Sequence, residues 1–225
     1  MNYLQLMTIA MLIMGLLRWI QKQIQSPFEG KEIIVGLLGH NGHGKDTVAD
    51  YLVKYHGFTK HSFALPLKRM LASMFDFSGK QLFDHKEKEV VDPRWGITPR
   101  QAMLFVGTEM VRDGKLTQLL PHLEPKGFWV EHMRIRLRKR SSQRVVISDV
   151  RCANEVDMIL KSGGFIVKVE RPGFEVHNRS HSTVKEIETV DPKDILYTLR
   201  NEGPLNIFRE NIERDLVPVL LHHKG

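Results

Sequence analysis

The stretch Glu32–Tyr55, EIIVGLLGHNGHGKDTVADYLVKY, decides the fold. It opens on an apolar run, Ile33, Ile34, Val35, Leu37 and Leu38, which reads as a buried strand. The run breaks into a loop punctuated by Gly39, Gly42 and Gly44. A helical pattern follows at once, with Val48, Leu52 and Val53 on its apolar side. Glycines let the backbone turn back and aim its N–H groups at an anion, and the helix N-terminus adds partial positive charge. Lys45, in the first helical turn, adds a full charge. A strand, a glycine loop and a helix starting on lysine together make a P-loop, a cradle for nucleotide phosphates.

The spacing from Gly39 to Lys45 fits G-x-x-x-x-G-K, but Asp46 stands where Ser or Thr is usual, and Thr47 comes one later. A carboxylate beside a triphosphate is costly unless it meets a cation. Asp46 is therefore expected to help hold Mg²⁺, directly or through water, or to orient an arginine. Thr47 offers a hydroxyl to phosphate or metal. Mg²⁺ is the expected cofactor. His40 and His43 have no third ligand nearby in sequence and read as loop residues, not as a metal site.

At 225 residues the chain is expected to form one domain over residues 31–225, preceded by an appendage over residues 1–30. A single cysteine, Cys152, excludes an internal disulfide and suits a reducing compartment, hence the cytoplasm, or the host cytoplasm for a virus-encoded chain. Net charge is +7, from 33 Lys plus Arg against 26 Asp plus Glu, which suits phosphate-bearing ligands. The densest basic run, Arg134–Arg144 (RIRLRKRSSQR), reads as the solvated end of a helix. No aromatic residue interleaves it, which argues against a nucleic-acid platform. Met1–Leu17 carries no charge but is short of the roughly 20 apolar residues of a membrane span. It reads as an appendage that is docked, flexible or outside the true start, with membrane contact through residues 1–20 as the alternative. A homodimer is left open.

Along the chain, Thr59–Ala64 reads as a second strand and Pro66–Phe75 as a helix. Phe77–Thr98 is polar and irregular, the length of a mobile lid. Thr98-Pro99 caps a helix running to Arg112, and another spans Phe128 to about Lys139. Arg144–Ser148 is a buried strand ending in Asp149, Val150 and Arg151. A helix over Asn154–Lys161, strands over Phe165–Glu170 and Ile195–Leu199, and a closing helix over Pro204–Leu221 complete the chain. This alternation predicts an α/β fold with a five-stranded parallel sheet covered on both faces and ligands at the strands' carboxyl ends. That geometry joins the P-loop, Asp149 and the Ala64-Leu65-Pro66 turn. Asp149 sits where a P-loop protein places a metal-directed carboxylate. Arg100, Arg112, Arg151 and Arg171 fall where loops or helix starts face such a site.

The ordered set GKDT (Gly44–Thr47), FALPLK (Phe63–Lys68), TPRQAMLFVGTEMVR (Thr98–Arg112), FWV (Phe128–Val130), ISDVRCANE (Ile147–Glu155) and GGFIVKVERPG (Gly163–Gly173) resembles the deoxynucleoside monophosphate kinases of large bacteriophages. The resemblance covers roughly Ile33 to Leu221. It implies a nucleoside monophosphate kinase fold and transfer of the ATP γ-phosphoryl group to a deoxynucleoside 5′-monophosphate, giving the diphosphate and ADP. By the same resemblance Gly39, Asn41, Gly42, Gly44, Lys45, Asp46 and Thr47 hold ATP, with Lys45 bridging donor and acceptor. Leu67, Lys68, Arg100, Gly107, Thr108, Arg112 and Trp129 line the acceptor, and Asp149 and Arg151 close the site. The family often ends a second lid with His-x-Ser-Glu; His181-Ser182-Thr183-Val184 departs from it, and Glu186 is no obvious substitute. Two other readings fit the P-loop: a small-molecule kinase resembling dephospho-coenzyme A kinase, which shares the FALPLK-like turn, and a nucleotide-binding switch or ATPase.

Overall fold

A computed structural model describes residues 28, 30–114, 116, 119–120, 122–124, 127–174 and 186–222. The apolar run after Glu32 becomes β1 (Ile33–Leu38), buried along its whole length. Burial on both faces requires neighbours on both sides, and β1 has them: β3 (Arg144–Val150) and β4 (Phe165–Glu170), both parallel to it. β2 (Thr59–His61) and β5 (Ile195–Arg200) form the edges, so the order is β2-β3-β1-β4-β5 with every pairing parallel. The expected five-stranded parallel α/β sheet is the observed one.

One face is covered by α1 (Lys45–His56) and the closing helices. Leu52 and Val48 meet Leu37, Val167, Phe208 and Ile212 there. The closing segment is α7 (Leu205–Asn211), a wider π-type stretch over Ile212–Leu216, and α8 (Val217–His222), not one regular helix. The other face is covered by α5 (Phe128–Arg138) and α6 (Ala153–Lys161), with Met133 and Ile159 packed on Ile147 and Ile166. A third cluster forms beyond the sheet's carboxyl edge. It joins α2 (Leu65–Phe75), α3 (Gly79–Phe83) and α4 (Pro99–Leu104), which runs on as a π-type stretch over Phe105–Arg112. Leu67, Leu71, Phe77, Leu82 and Val106 meet in it.

Three boundaries differ from expectation. β2 stops at His61, not Ala64, because the N–H groups of Phe63 and Ala64 leave the ladder and donate to Asp149. β3 in turn runs two residues past Ser148, to Val150. The stretch 77–98 is not wholly irregular. Ser78 and Gln81 make a capping box that starts α3, a 3₁₀ turn spans Glu87–Glu89, and Asp92 bridges Ile97. The Arg94 guanidinium holds the Asp92 carboxylate well below the usual range and ties it to Asp76. Residues 1–27 and 175–185, where the apolar appendage and His181 fall, lie outside the described residues. Among the described residues no helix is long and apolar enough to cross a membrane.

Phe208 links the closing helices to the phosphate loop. It is 1% exposed, and a Cβ placed on Gly44 would lie 2.9 Å from its ring. Phe208→Ala is expected to cost about 3–5 kcal/mol, read as a lower urea midpoint with unchanged slope.

Candidate active site

The loop's conformation follows from two of its glycines. Gly39 has φ +148°, and a Cβ there would meet the Val169 carbonyl oxygen at 2.4 Å, so only glycine lets β4 come this close. Gly44 has φ +103° at the N-cap of α1. Lys45 follows, 7% exposed, its Nζ donating to the carbonyls of Gly39 (2.5 Å) and His40 (2.8 Å). The ammonium is folded back on its own loop, where arriving phosphate oxygens would compete for it. Burial, then Arg151, lowers its pKa to about 8. His43 is also buried. Its Nδ1–H donates to Val169 O at 3.2 Å, burial lowers its pKa, and it is a packing residue of the loop. Asn201 donates to His43 O at 3.0 Å and ties the end of β5 to the same turn.

Asp46 is paired with Lys60 of β2 at 2.7 Å, a lysine and not an arginine. Lys60 also holds Asp50 at 2.9 Å. Thr47 is half-buried in the next position. Asp149, near the end of β3, accepts from the Ser62 hydroxyl (2.7 Å), Phe63 N–H (2.8 Å) and Ala64 N–H (3.0 Å). Its carboxylate therefore fixes the turn between β2 and α2 from a distance of more than eighty residues in sequence. That turn delivers Lys68, one helical turn into α2, to the site.

Cations converge on this edge. The Lys88 ammonium feels Arg100, Lys68 and Arg151, and Lys45 also feels Arg151. Lys88 is 9% exposed, and burial with those neighbours lowers its pKa to about 8. Its Nζ donates to His85 Nδ1 at 3.0 Å, which also accepts from Asn41 of the loop at 3.3 Å. Lys68 lies over the Phe83 ring at 4.1 Å. Arg100 is paired with Glu89 at 2.9 Å. Among the described residues, Lys68, Lys88 and Arg151 form no ion pair. Lys88 is absent from the sequence reading because it sits in a charged, irregular stretch where any one lysine resembles the rest.

The remaining expected acceptor residues frame this cluster. Gly107 lies against Leu67, where a Cβ would come within 2.4 Å of Cδ2. The Trp129 indole N–H donates to Gly107 O at 2.9 Å, so Trp129 clasps the π-type stretch onto α5. Thr108 is half-buried beside it. Arg112 makes a two-pronged pair with Glu186, 3.2 Å on each arm, and the Cys152 thiol donates to the same carboxylate at 2.9 Å. Glu186 does not keep the family's spacing from His181, and its partner is Arg112. Arg171 lies over the Phe174 ring at 4.9 Å, and that ring touches the loop at Gly42. Beside them a pocket of about 330 Å³ opens between the loop and the ends of β4 and β5, lined by His40, Lys168, Glu170 and Arg200.

Among the described residues no group of three or more His, Cys, Asp or Glu forms a metal cage. Mg²⁺ does not need one, because it is held largely by substrate phosphates and water with one or two protein oxygens. The Thr47 hydroxyl fits that donor set, and Asp46, paired with Lys60 through one oxygen, keeps its second carboxylate oxygen. Asp149 has its oxygens occupied by three protein donors.

No family model matches the chain. A relative from Acanthamoeba polyphaga mimivirus, provisionally named a deoxynucleotide monophosphate kinase, is 38% identical over 170 residues, 73% of this chain and 86% of the relative. Solved structures with a similar outline include TT1252 from Thermus thermophilus (20% identity, TM-score 0.43, 87% of this chain and all of that one). Dephospho-CoA kinase from Campylobacter jejuni is another (12%, TM-score 0.43, 83% and 97%). At TM-scores below 0.5 these likenesses do not bear on function.

Lys88 carries a penalty that can be read out. Its pKa of about 8 lies below the ordinary 10.5, so the unfolded chain holds more protons between those values and stability rises with pH there. Below pH 8 the penalty is complete. Lys88→Met is expected to be more stable than the wild type at pH 7 by about 1 kcal/mol, less than the full shift implies because water reaches part of the site. Urea midpoints measured from pH 7 to 10.5 should converge.

Proposed function

The chain belongs to the deoxynucleotide monophosphate kinase family, and on that footing we propose that it transfers the γ-phosphoryl group of ATP to a deoxynucleoside 5′-monophosphate. The observation that carries this reading is the convergence of Lys45, Lys68, Lys88, Arg100 and Arg151 beside a glycine loop. Such a cluster is repulsive by itself and becomes favourable when two phosphate-bearing ligands enter together.

The loop N–H groups and Lys45 hold the donor phosphates. Lys68, Lys88 and Arg100, on α2, the 77–98 segment and α4, hold the acceptor phosphate. Arg151 lies within electrostatic reach of both Lys45 and Lys88 and so faces the group in transit. Asp149 positions, through the β2–α2 turn, the helix that carries Lys68. Thr47 and Asp46 are the residues that would hold Mg²⁺, and the ion would supply charge neutralisation at the donor phosphates. The acceptor oxygen is already anionic, so no strong general base is required; alignment and charge carry the rate. The hydrogen bond from Asn41 to His85 links the loop to the 77–98 segment, which lets donor binding and closure over the acceptor act together.

The test is ADP release with ATP and Mg²⁺ against the four deoxynucleoside monophosphates, their ribose counterparts and dephospho-coenzyme A. Stimulation by deoxynucleotides is the expected result. Stimulation by dephospho-coenzyme A alone, or release indifferent to every acceptor, rejects the proposal. Lys45→Ala should lower kcat by a factor worth at least ~3 kcal/mol. Arg100→Ala should instead raise the acceptor KM by about tenfold, the weight of one charge-assisted hydrogen bond.

A further inference from the structure

The basic run Arg134–Arg144 plays no part in the site above, yet part of it lines a second pocket. This pocket, about 280 Å³, lies between the C-terminal end of α5 and edge strand β2. Arg136, Lys139 and Arg140 line it from the helix end, Ser141 and Ser142 from the following turn, and Thr59 and His61 from β2. Thr59 is the first residue of β2 and pairs with Val145 near the start of β3, so the pocket sits toward the strands' amino ends. Asp149 and the phosphate cluster are at the other end.

Three observations make this more than a basic helix end. Arg140 is neutralised by Glu32, but among the described residues Arg136 and Lys139 have no carboxylate partner. Arg136 is half-buried, with Arg69 as a like-charged neighbour, and itself bears on His61 and His132. His61 is 8% exposed, and its Nδ1 is buried with no hydrogen-bond partner. The unpaired cations and the Ser141 and Thr59 hydroxyls around this concavity are donors that a phosphate group accepts from, with the unpartnered His61 ring in its wall. We propose that this pocket binds a phosphate group carried by a small molecule. A cavity of this size with no aromatic wall suits a compact anion better than a polymer backbone.

β2 connects the pocket to the phosphate loop. Its side chains alternate, so Thr59 and His61 face the pocket while Lys60 points the other way and grips Asp46 beside Lys45. An anion seated on one face of this short strand bears on Lys60, the residue that pairs with Asp46 at the start of α1.

The test uses the full chain carrying Lys45→Ala, which removes binding at the loop, and calorimetric titration with pyrophosphate at fixed ionic strength. Adding Arg136→Gln and Lys139→Gln together should weaken binding at least about tenfold. The His61 ring ¹⁵N signals should shift on saturation without those two substitutions. Tighter binding of dATP than of pyrophosphate assigns the pocket to a nucleotide, and equal binding to free inorganic phosphates. Unchanged pyrophosphate affinity in the triple variant, or unmoved His61 signals, overturns the proposal. So does a pocket that binds a short oligonucleotide with steep salt dependence and ignores pyrophosphate. With Lys45 intact, the Arg136→Gln, Lys139→Gln chain should turn over at the wild-type rate in phosphate-free buffer.

Discussion

The gathering of cations at one edge of the sheet, two of them buried, is the constraint around which this molecule is arranged. Lys45, Lys68, Lys88 and Arg151 are held near one another, offset in part by Asp46, Asp149 and Glu89. Free chains do not gather like charges; packing elsewhere must hold them in place. The three apolar clusters do so. Two clamp the sheet between helices and fix the loop, while the third carries Lys68 and Arg100 on helices whose apolar sides meet at Leu67, Leu71 and Val106. The Lys45 ammonium is satisfied by backbone oxygens of its own loop, those of Gly39 and His40.

Polarity within the site is arranged by a few long-range bonds. Asp149 shapes the turn before α2, the Trp129 indole holds the backbone at Gly107, and Glu186 engages Arg112 and Cys152 together. None of these three acts on its sequence neighbours. Each joins an element of the sheet or its covering helices to the third cluster, or spans the segment between β4 and β5, so that the cations hold their places with respect to the loop.

The parts of this arrangement that could be read in the sequence are those whose signal is local. The glycines and Lys45 declare themselves by spacing, the central strands by unbroken apolar runs, and the helix at Pro99 by its Thr98 cap. The length of β2 could not be read, because the group that ends it lies on β3. Lys88 was hidden among the charges of an irregular stretch, and its importance arises only once Arg100 and Lys68 fold up to it. Glu186 was obscured by comparison with a motif it does not follow. The basic run after Arg134 was legible as charge but not as a concavity, since Thr59 and His61 come from another strand.

The cap on the turn after β2 has a consequence for how the protein lives with its neighbours. A parallel sheet ends in a strand whose outer N–H and C=O groups are unpaired, and a long flat edge of that kind recruits strands from other chains. By drawing Phe63 and Ala64 away, Asp149 leaves an edge only three residues long, with a charged lysine at its middle. The carboxylate that shapes the site thus also shortens the β2 edge against pairing with another chain.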